Sequence, residues 1–113
     1  VAESQQLQTA PRRIGNAEVR PAELQVLLDG RRVGLTVREF ELCLLLAERL
    51  DRVVRRGEIY SLMWGGRMPQ RDRSVDVLIC RLRSKLEQTA PDWRYIHTHF
   101  GIGYRFAPEP RGG

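Results

Sequence analysis

The apolar pattern changes period several times along the chain, and each change predicts a different element. Between Ile14 and Leu35 the runs GNAEVRP, ELQVLLDG and RRVGL carry the signals of short antiparallel strands, with Asp29-Gly30 as a hairpin turn. Thr36-Val37-Arg38-Glu39 then reads as a capping box, the Thr36 hydroxyl accepting the Glu39 amide and the Glu39 carboxylate reaching back to the Thr36 amide. The helix it starts is so continuously apolar, through Phe40, Leu42, Cys43, Leu44, Leu46 and Ala47, that burial on most sides is expected. Val53-Val54 marks a short extended piece. A second helix, roughly Gly57 to Trp64, follows with Ile59, Leu62, Met63 and Trp64 as its apolar residues and Trp64 expected in the core. Its start is poor, because Arg55, Arg56 and Gly57 offer no side-chain acceptor.

Two glycines and a proline make Gly65 to Gln70 a surface loop. From Arg71 to Leu86 the chain returns to helical period: at about 100° per residue, Val75, Leu78, Ile79, Leu82 and Leu86 share one stripe. Arg73, Val77, Cys80, Arg81 and Ser84 point the other way, and Arg83 lies on the flank, where it could reach a phosphate or Asp76. Small residues between arginines let a helix approach another surface closely, although a charged outer face can also be simply solvated. After a loop from Thr89 to Arg94, the segments Tyr95 to Thr98 and Tyr104 to Phe106 read as strands joined through His99-Phe100-Gly101-Ile102-Gly103. Trp93 is expected to cover the sheet edge. Strands, three helices and a hairpin make an α+β domain.

Composition sharpens this picture. The 113 residues suit one domain, and a net charge of +5 favours polyanionic partners. No apolar run approaches the roughly 20 residues that span a bilayer, and the start lacks the layout of a signal peptide, so a cytoplasmic protein without membrane contact is expected. Residues 1–13 are polar and read as a linker or tail, 14–107 as the folded domain and 108–113 as a second tail; the first residue is not methionine, which suggests a fragment. Cys43 reads as core packing, and Cys80 as an exposed thiol without a resolving partner. His97 and His99 share a strand face, but no Cys, Asp or Glu with ligand spacing accompanies them, so no metal site is expected. Nothing resembles a nucleophile-base pair, a paired-carboxylate site or a glycine-rich phosphate loop. The expected action is binding, not catalysis, and requires no cofactor.

Four stretches together carry a family resemblance: LTVREFELCLLLA at Leu35 to Ala47, RVV followed by a helix ending MWG at Gly65, DRSVDVLICRLRSKLE at Asp72 to Glu87, and GIGYRF at Gly101 to Phe106. In order and spacing the chain resembles the C-terminal DNA-binding domain of OmpR/PhoB-type response regulators, a winged helix-turn-helix preceded by a small four-stranded sheet. The resemblance implies sequence-specific binding of double-stranded DNA for transcription regulation. The third helix would lie in the major groove and the terminal hairpin, the wing, at the adjacent minor groove. It implies that Asp76, Val77, Arg81 and Arg83 lie nearest base edges, that Arg73 and Ser74 bind phosphate at the helix start, and that Thr98 at the base of the wing contacts the backbone. Cys80 and Ser84 complete the helix surface, and His99, Phe100, Gly101 and Ile102 complete the wing.

Relatives often carry a cation at the position of Cys80, a histidine at that of Leu78, and Val-Arg where this chain has His99-Phe100. The usual minor-groove arginine is therefore missing. Phe100 could pack under the wing, insert against sugar or stand exposed, packing being the favoured reading, and His99 could contact a phosphate. The loop with Arg67, Met68 and Arg71 reads equally as a connector or as a contact for RNA polymerase, Met68 being taken as exposed. The resemblance also implies an N-terminal receiver domain that is absent here, tandem direct repeats bound by head-to-tail pairs, and a monomer when the domain is alone. The alternative is a winged-helix protein-assembly module with weakened DNA binding, kept open by Leu78, Cys80 and Phe100.

Overall fold

The computed structural model describes residues 10–112. Four short strands, β1 (Arg12–Ile14), β2 (Ala17–Arg20), β3 (Gln25–Leu28) and β4 (Arg31–Arg32), form an antiparallel sheet in sequence order. Pairing Ala17 with Leu28 and Val19 with Val26 places all four on one face, and all four are buried. The predicted Asp29-Gly30 turn is present, with positive φ of 52° and 77° as a two-residue hairpin loop requires.

The folded region is wider than residues 14–107. β1 begins at Arg12, which pairs with Val19 while Arg13 pairs with Glu18, so the tail boundary at residue 13 is corrected. Backbone pairing makes this strand; its two arginines are exposed and show no alternation that could mark it. Residues 1–9 of the expected linker lie outside the described residues. At the other end the last strand continues to Pro110, so half of the expected 108–113 tail is strand, and Gly113 lies outside the described residues.

Helix α1 (Val37–Ala47) opens on the predicted capping box, with Glu39 N–H donating to Thr36 Oγ1 at 3.2 Å and Thr36 N–H to Glu39 Oε1 at 2.8 Å. Phe40, Leu42, Cys43, Leu45, Leu46 and Ala47 are buried, and burial pushes the Cys43 thiol up to about 12. Strand β5 (Val53–Arg55) leads straight into α2 (Arg56–Trp64), which lacks a side-chain cap as expected. In α2 Ile59 is fully buried, whereas Leu62 and Trp64 are exposed, which corrects the core placement of Trp64. A nine-residue helix has one inward stripe, and Trp64 leaves it to pack at a tilt against Tyr60, ring centroids 5.2 Å apart, beneath the Arg38 guanidinium, also at 5.2 Å.

The long helix α3 (Ser74–Thr89) starts three residues later than its pattern suggests. Arg71 is left-handed, with φ 61°, and the Asp72 carboxylate accepts the Ser74 N–H at 2.8 Å, which sets the start. Val75, Leu78, Ile79, Leu82 and Leu86 are all buried, as the stripe predicts.

Strands β6 (Trp93–His99) and β7 (Gly103–Pro110) pair with β5 in the order β5-β7-β6. A bulge between Arg94 and Ile96 frees Tyr95 from pairing, and its hydroxyl donates to Asn16 Oδ1 at 2.9 Å, tying the two sheets together. Trp93, on edge strand β6, stacks on Tyr95, which stacks in turn on Phe106. No helix among the described residues is long and apolar enough to cross a membrane.

Candidate nucleic-acid interface

With its inner stripe fixed on the core, α3 presents Arg73, Val77, Cys80, Arg81 and Ser84 to solvent, all five of them exposed. Arg20, Arg38, Arg52 and Arg111 each pair with a carboxylate, but Arg73 and Arg81 form no ion pair among the described residues. Their charge is left for an external anion. Ser74 and the first-turn amides sit beside Arg73, where the helix dipole favours negative charge.

Asp76 behaves differently from its neighbours on the helix. Its carboxylate accepts from Arg56 Nε at 3.0 Å, from Arg56 Nη2 at 2.5 Å and from the Tyr104 hydroxyl at 2.6 Å. Burial pushes the Asp76 carboxyl up, but the bonds from Arg56 and Tyr104, with the charges of Arg56 and Arg73, outweigh it and hold the group below its ordinary value. The bonded carboxylate raises the Arg56 guanidinium in return, and burial together with the bond to Asp76 pushes Tyr104 up to about 12. Arg56 Nη2 also donates to the Asp72 carbonyl at 3.3 Å, and the Arg56 N–H to that of Ile102 at 3.3 Å. Arg56 thus ties the start of α3 to the end of the wing.

Arg83 does not reach Asp76. Seven residues separate them, two turns or about 10 Å along the axis. Its Nη2 instead donates to Thr98 Oγ1 at 2.7 Å, with the guanidinium over the Tyr104 ring at 5.8 Å. The expected helix and wing residues therefore meet directly at one point, Arg83 to Thr98, while Asp76 reaches the wing through Tyr104. Arg56 and Tyr104 are absent from the sequence-based set. A local pattern shows Arg56 only as a poor helix start and Tyr104 only as a strand residue, and neither reveals a partner 20 or more residues away.

The wing turns on the bond from Ile102 N–H to the His99 carbonyl, 2.9 Å, with Gly101 at φ 76°. Gly103 is required by space, since a Cβ there would lie 2.0 Å from the Val54 carbonyl oxygen. Phe100 is 91% exposed, so packing under the wing is corrected, and Ile102 is 47% exposed. The tight turn leaves Phe100 no surface of its own chain to cover. His97 Nε2 donates to the Ala107 carbonyl at 2.8 Å and His99 Nε2 accepts from Arg105 Nε at 3.2 Å. No group of three or more His, Cys, Asp or Glu among the described residues could hold a metal ion.

In the loop before α3, Arg67 and Arg71 are exposed but Met68 is half-buried against the core, which corrects the reading of an exposed methionine. Gly65 and Gly66, both with positive φ, turn the chain back, and Ser61 Oγ donates to the Gly66 carbonyl at 2.7 Å.

Comparison with known proteins agrees with this geometry. The family model described as transcriptional regulatory protein, C terminal, matches residues 30–106. The DNA-binding response regulator MtrA of Mycolicibacterium smegmatis is 33% identical over 95 residues, covering 84% of this chain and 42% of that protein. The response regulator SaeR of Staphylococcus aureus is 35% identical over 81 residues, covering 72% of this chain and 36% of its own length. The chain spans less than half the length of these relatives. Among solved structures, the Klebsiella pneumoniae RstA DNA-binding domain in complex with the RstA box superposes with TM-score 0.78 at 33% identity, covering 86% of this chain and 96% of that one. The DNA-binding domain of CpxR from E. coli gives 0.76 at 28% identity, covering 87% and 96%.

Proposed function

The chain belongs to the transcriptional regulatory protein, C-terminal family, a group of OmpR/PhoB-type winged-helix domains, and from that premise we propose that it binds double-stranded DNA sequence-specifically as the effector domain of a response regulator. The observation that carries this reading is the division of α3: a buried apolar stripe opposite an exposed strip in which Arg73 and Arg81 form no ion pair among the described residues and Val77, Cys80 and Ser84 are small enough for close approach. In the major groove, Arg81 pairs with a guanine edge and Val77 touches a thymine methyl. Arg73, Ser74 and the helix amides hold one phosphate, and Arg83 with Thr98 holds another. Asp76 acts as a positioning residue, keeping α3 in register with the wing, and His99, Gly101 and Ile102 lie along the minor groove.

The action is binding, with no catalytic step. From the resemblance to OmpR/PhoB-type response regulators we further propose that a receiver domain precedes this one in the cytoplasm, that head-to-tail pairs occupy tandem direct repeats about 10 to 11 base pairs apart, and that the isolated domain is a monomer. Arg67 and Arg71 are the proposed polymerase contacts. The protein-assembly alternative loses one of its supports, because Leu78 belongs to the buried stripe and not to the outer surface.

Selection of bound duplexes from a random pool at near-physiological salt tests the proposal. Enrichment of a motif, especially a direct repeat at one-turn spacing, is the expected result. Binding that enriches nothing and disappears as salt rises would reduce the arginine strip to electrostatic attraction.

A further inference from the structure

The tip of the wing is built unlike the rest of the surface. Phe40 and Phe106 are fully buried, whereas the phenyl ring of Phe100 stands 91% exposed at the apex of a hairpin, beside the half-exposed Ile102. Two backbone bonds hold the apex, the His99 to Ile102 turn bond that closes it and the Arg56 amide on the Ile102 carbonyl, and Gly101 takes the positive φ the turn needs. Arg56 also grips Asp76 on α3, so the apolar tip keeps a fixed offset from the helix. Arg73, with no ion pair among the described residues, lines the same depression as Phe100, together with the Arg56–Asp76 pair, and Arg105, behind His99, lies within ion-pair distance of Asp51 and Glu109.

We infer that Phe100 and Ile102 form an apolar wedge for the minor groove beside the α3 site, so that this wing recognises DNA by deforming it and not by placing a cation in the groove. The inference rests on the DNA-binding reading. A minor groove roughly 6 Å wide admits a phenyl ring edge-on against its deoxyribose walls. Rigid apolar side chains at that place part the base steps and bend the duplex toward the major groove. Arg73 holds a flanking phosphate while the ring enters. The energetic cost of that deformation depends on the step being opened, so preference for flexible pyrimidine–purine steps follows at base pairs with which no side chain forms a hydrogen bond.

The test uses the full chain and the most enriched duplex from a random pool, with end-to-end fluorescence transfer reporting the bend. Wild type is expected to bend the duplex. Phe100→Ala, at a side chain 91% exposed, should keep its melting temperature, bind the same core motif about tenfold or more weakly, leave the bend largely abolished and lose the pyrimidine–purine preference in the flank. Phe100→Arg should also abolish the bend, while steepening the salt dependence by about one phosphate contact. A duplex that stays straight with wild type, or a Phe100→Ala protein with unchanged bend and affinity, overturns the wedge and leaves DNA binding intact. Phe100-dependent self-association in sedimentation, with DNA affinity unaltered, overturns it in favour of a protein contact. Failure of wild type to enrich any motif overturns the DNA reading and the wedge together.

Discussion

Two carboxylates anchor α3, one toward each end, and they are set in similar chemistry for different ends. Near the last turns, Lys85 Nζ donates to Glu39 Oε1 at 2.7 Å, joining α3 to the start of α1. In the first turn, Asp76 takes Arg56 from α2 and Tyr104 from the wing. For both acids burial is the largest single influence and opposes ionisation; for both, the sum of the bonded partners wins and the carboxyl is held below its ordinary value. Glu39, however, is almost wholly enclosed and its partners serve only the fold, while Asp76 lies against the exposed strip and joins the two elements assigned to DNA. One clasp holds the helix on the core. The other aligns the surface the helix presents.

That contrast can be broken by substitution. The largest effect is expected from Asp76→Ala, which leaves Arg56 and the Tyr104 hydroxyl without their acceptor. Stability should fall by about 1 to 3 kcal/mol in urea titration, and affinity for an enriched duplex by about tenfold or more in anisotropy titration, because the wing loses its register with α3. Asp76→Asn, which still accepts a bond from Arg56, should recover much of the affinity; recovery of stability without affinity would assign the carboxylate itself a direct part in binding. Glu39→Gln should cost about 1 kcal/mol of stability while leaving DNA affinity within twofold, and an affinity loss matching that of Asp76→Ala would erase the distinction between the clasps.

Acid should weaken both clasps. Because the two folded-state values are depressed, their contribution is fully present above the unfolded carboxylate range, near about pH 4, and is lost as pH falls through the lower folded values. Thermal melts from neutral to acid pH should therefore show a shallower acid limb in the Glu39→Gln, Asp76→Asn double variant than in wild type. The smallest effect concerns the strip itself. Cys80→Arg should leave stability within about 0.5 kcal/mol and raise the salt slope of DNA binding by about 0.9, and an unchanged slope would place this position out of reach of phosphate.

What the sequence revealed follows the range of the interactions involved. The Thr36 to Glu39 capping box, the Asp29-Gly30 turn and the five-residue stripe of α3 are settled within about three turns of chain, and each is present as expected. Strand β1 depends on pairing with β2, so Arg12 and Arg13 look like tail until β2 is in place. Trp64 illustrates the converse: an apolar residue at a helix end looks like core, but the short α2 turns it outward onto Tyr60 and Arg38. The same limit applies at the interface. The exposed strip was legible from periodicity, whereas the partners of Asp76 and Arg83 were not, because Arg56, Thr98 and Tyr104 approach them only once three elements have packed. Phe100 could not be placed by its apolarity alone, since that decision lies with the geometry of a turn three residues long.

The most direct measurement is dimethyl sulfate protection on the most enriched duplex, since this reagent reports guanine N7 in the major groove and adenine N3 in the minor groove in one experiment. If α3 enters the major groove and the wing lies beside it, guanine N7 positions in the core motif will be protected by wild type, with adenine N3 protection confined to the adjoining flank. Arg81→Ala will lose protection in the core, and Phe100→Ala will lose it in the flank. A duplex bound equally tightly but reactive at both positions would contradict the placement of helix and wing.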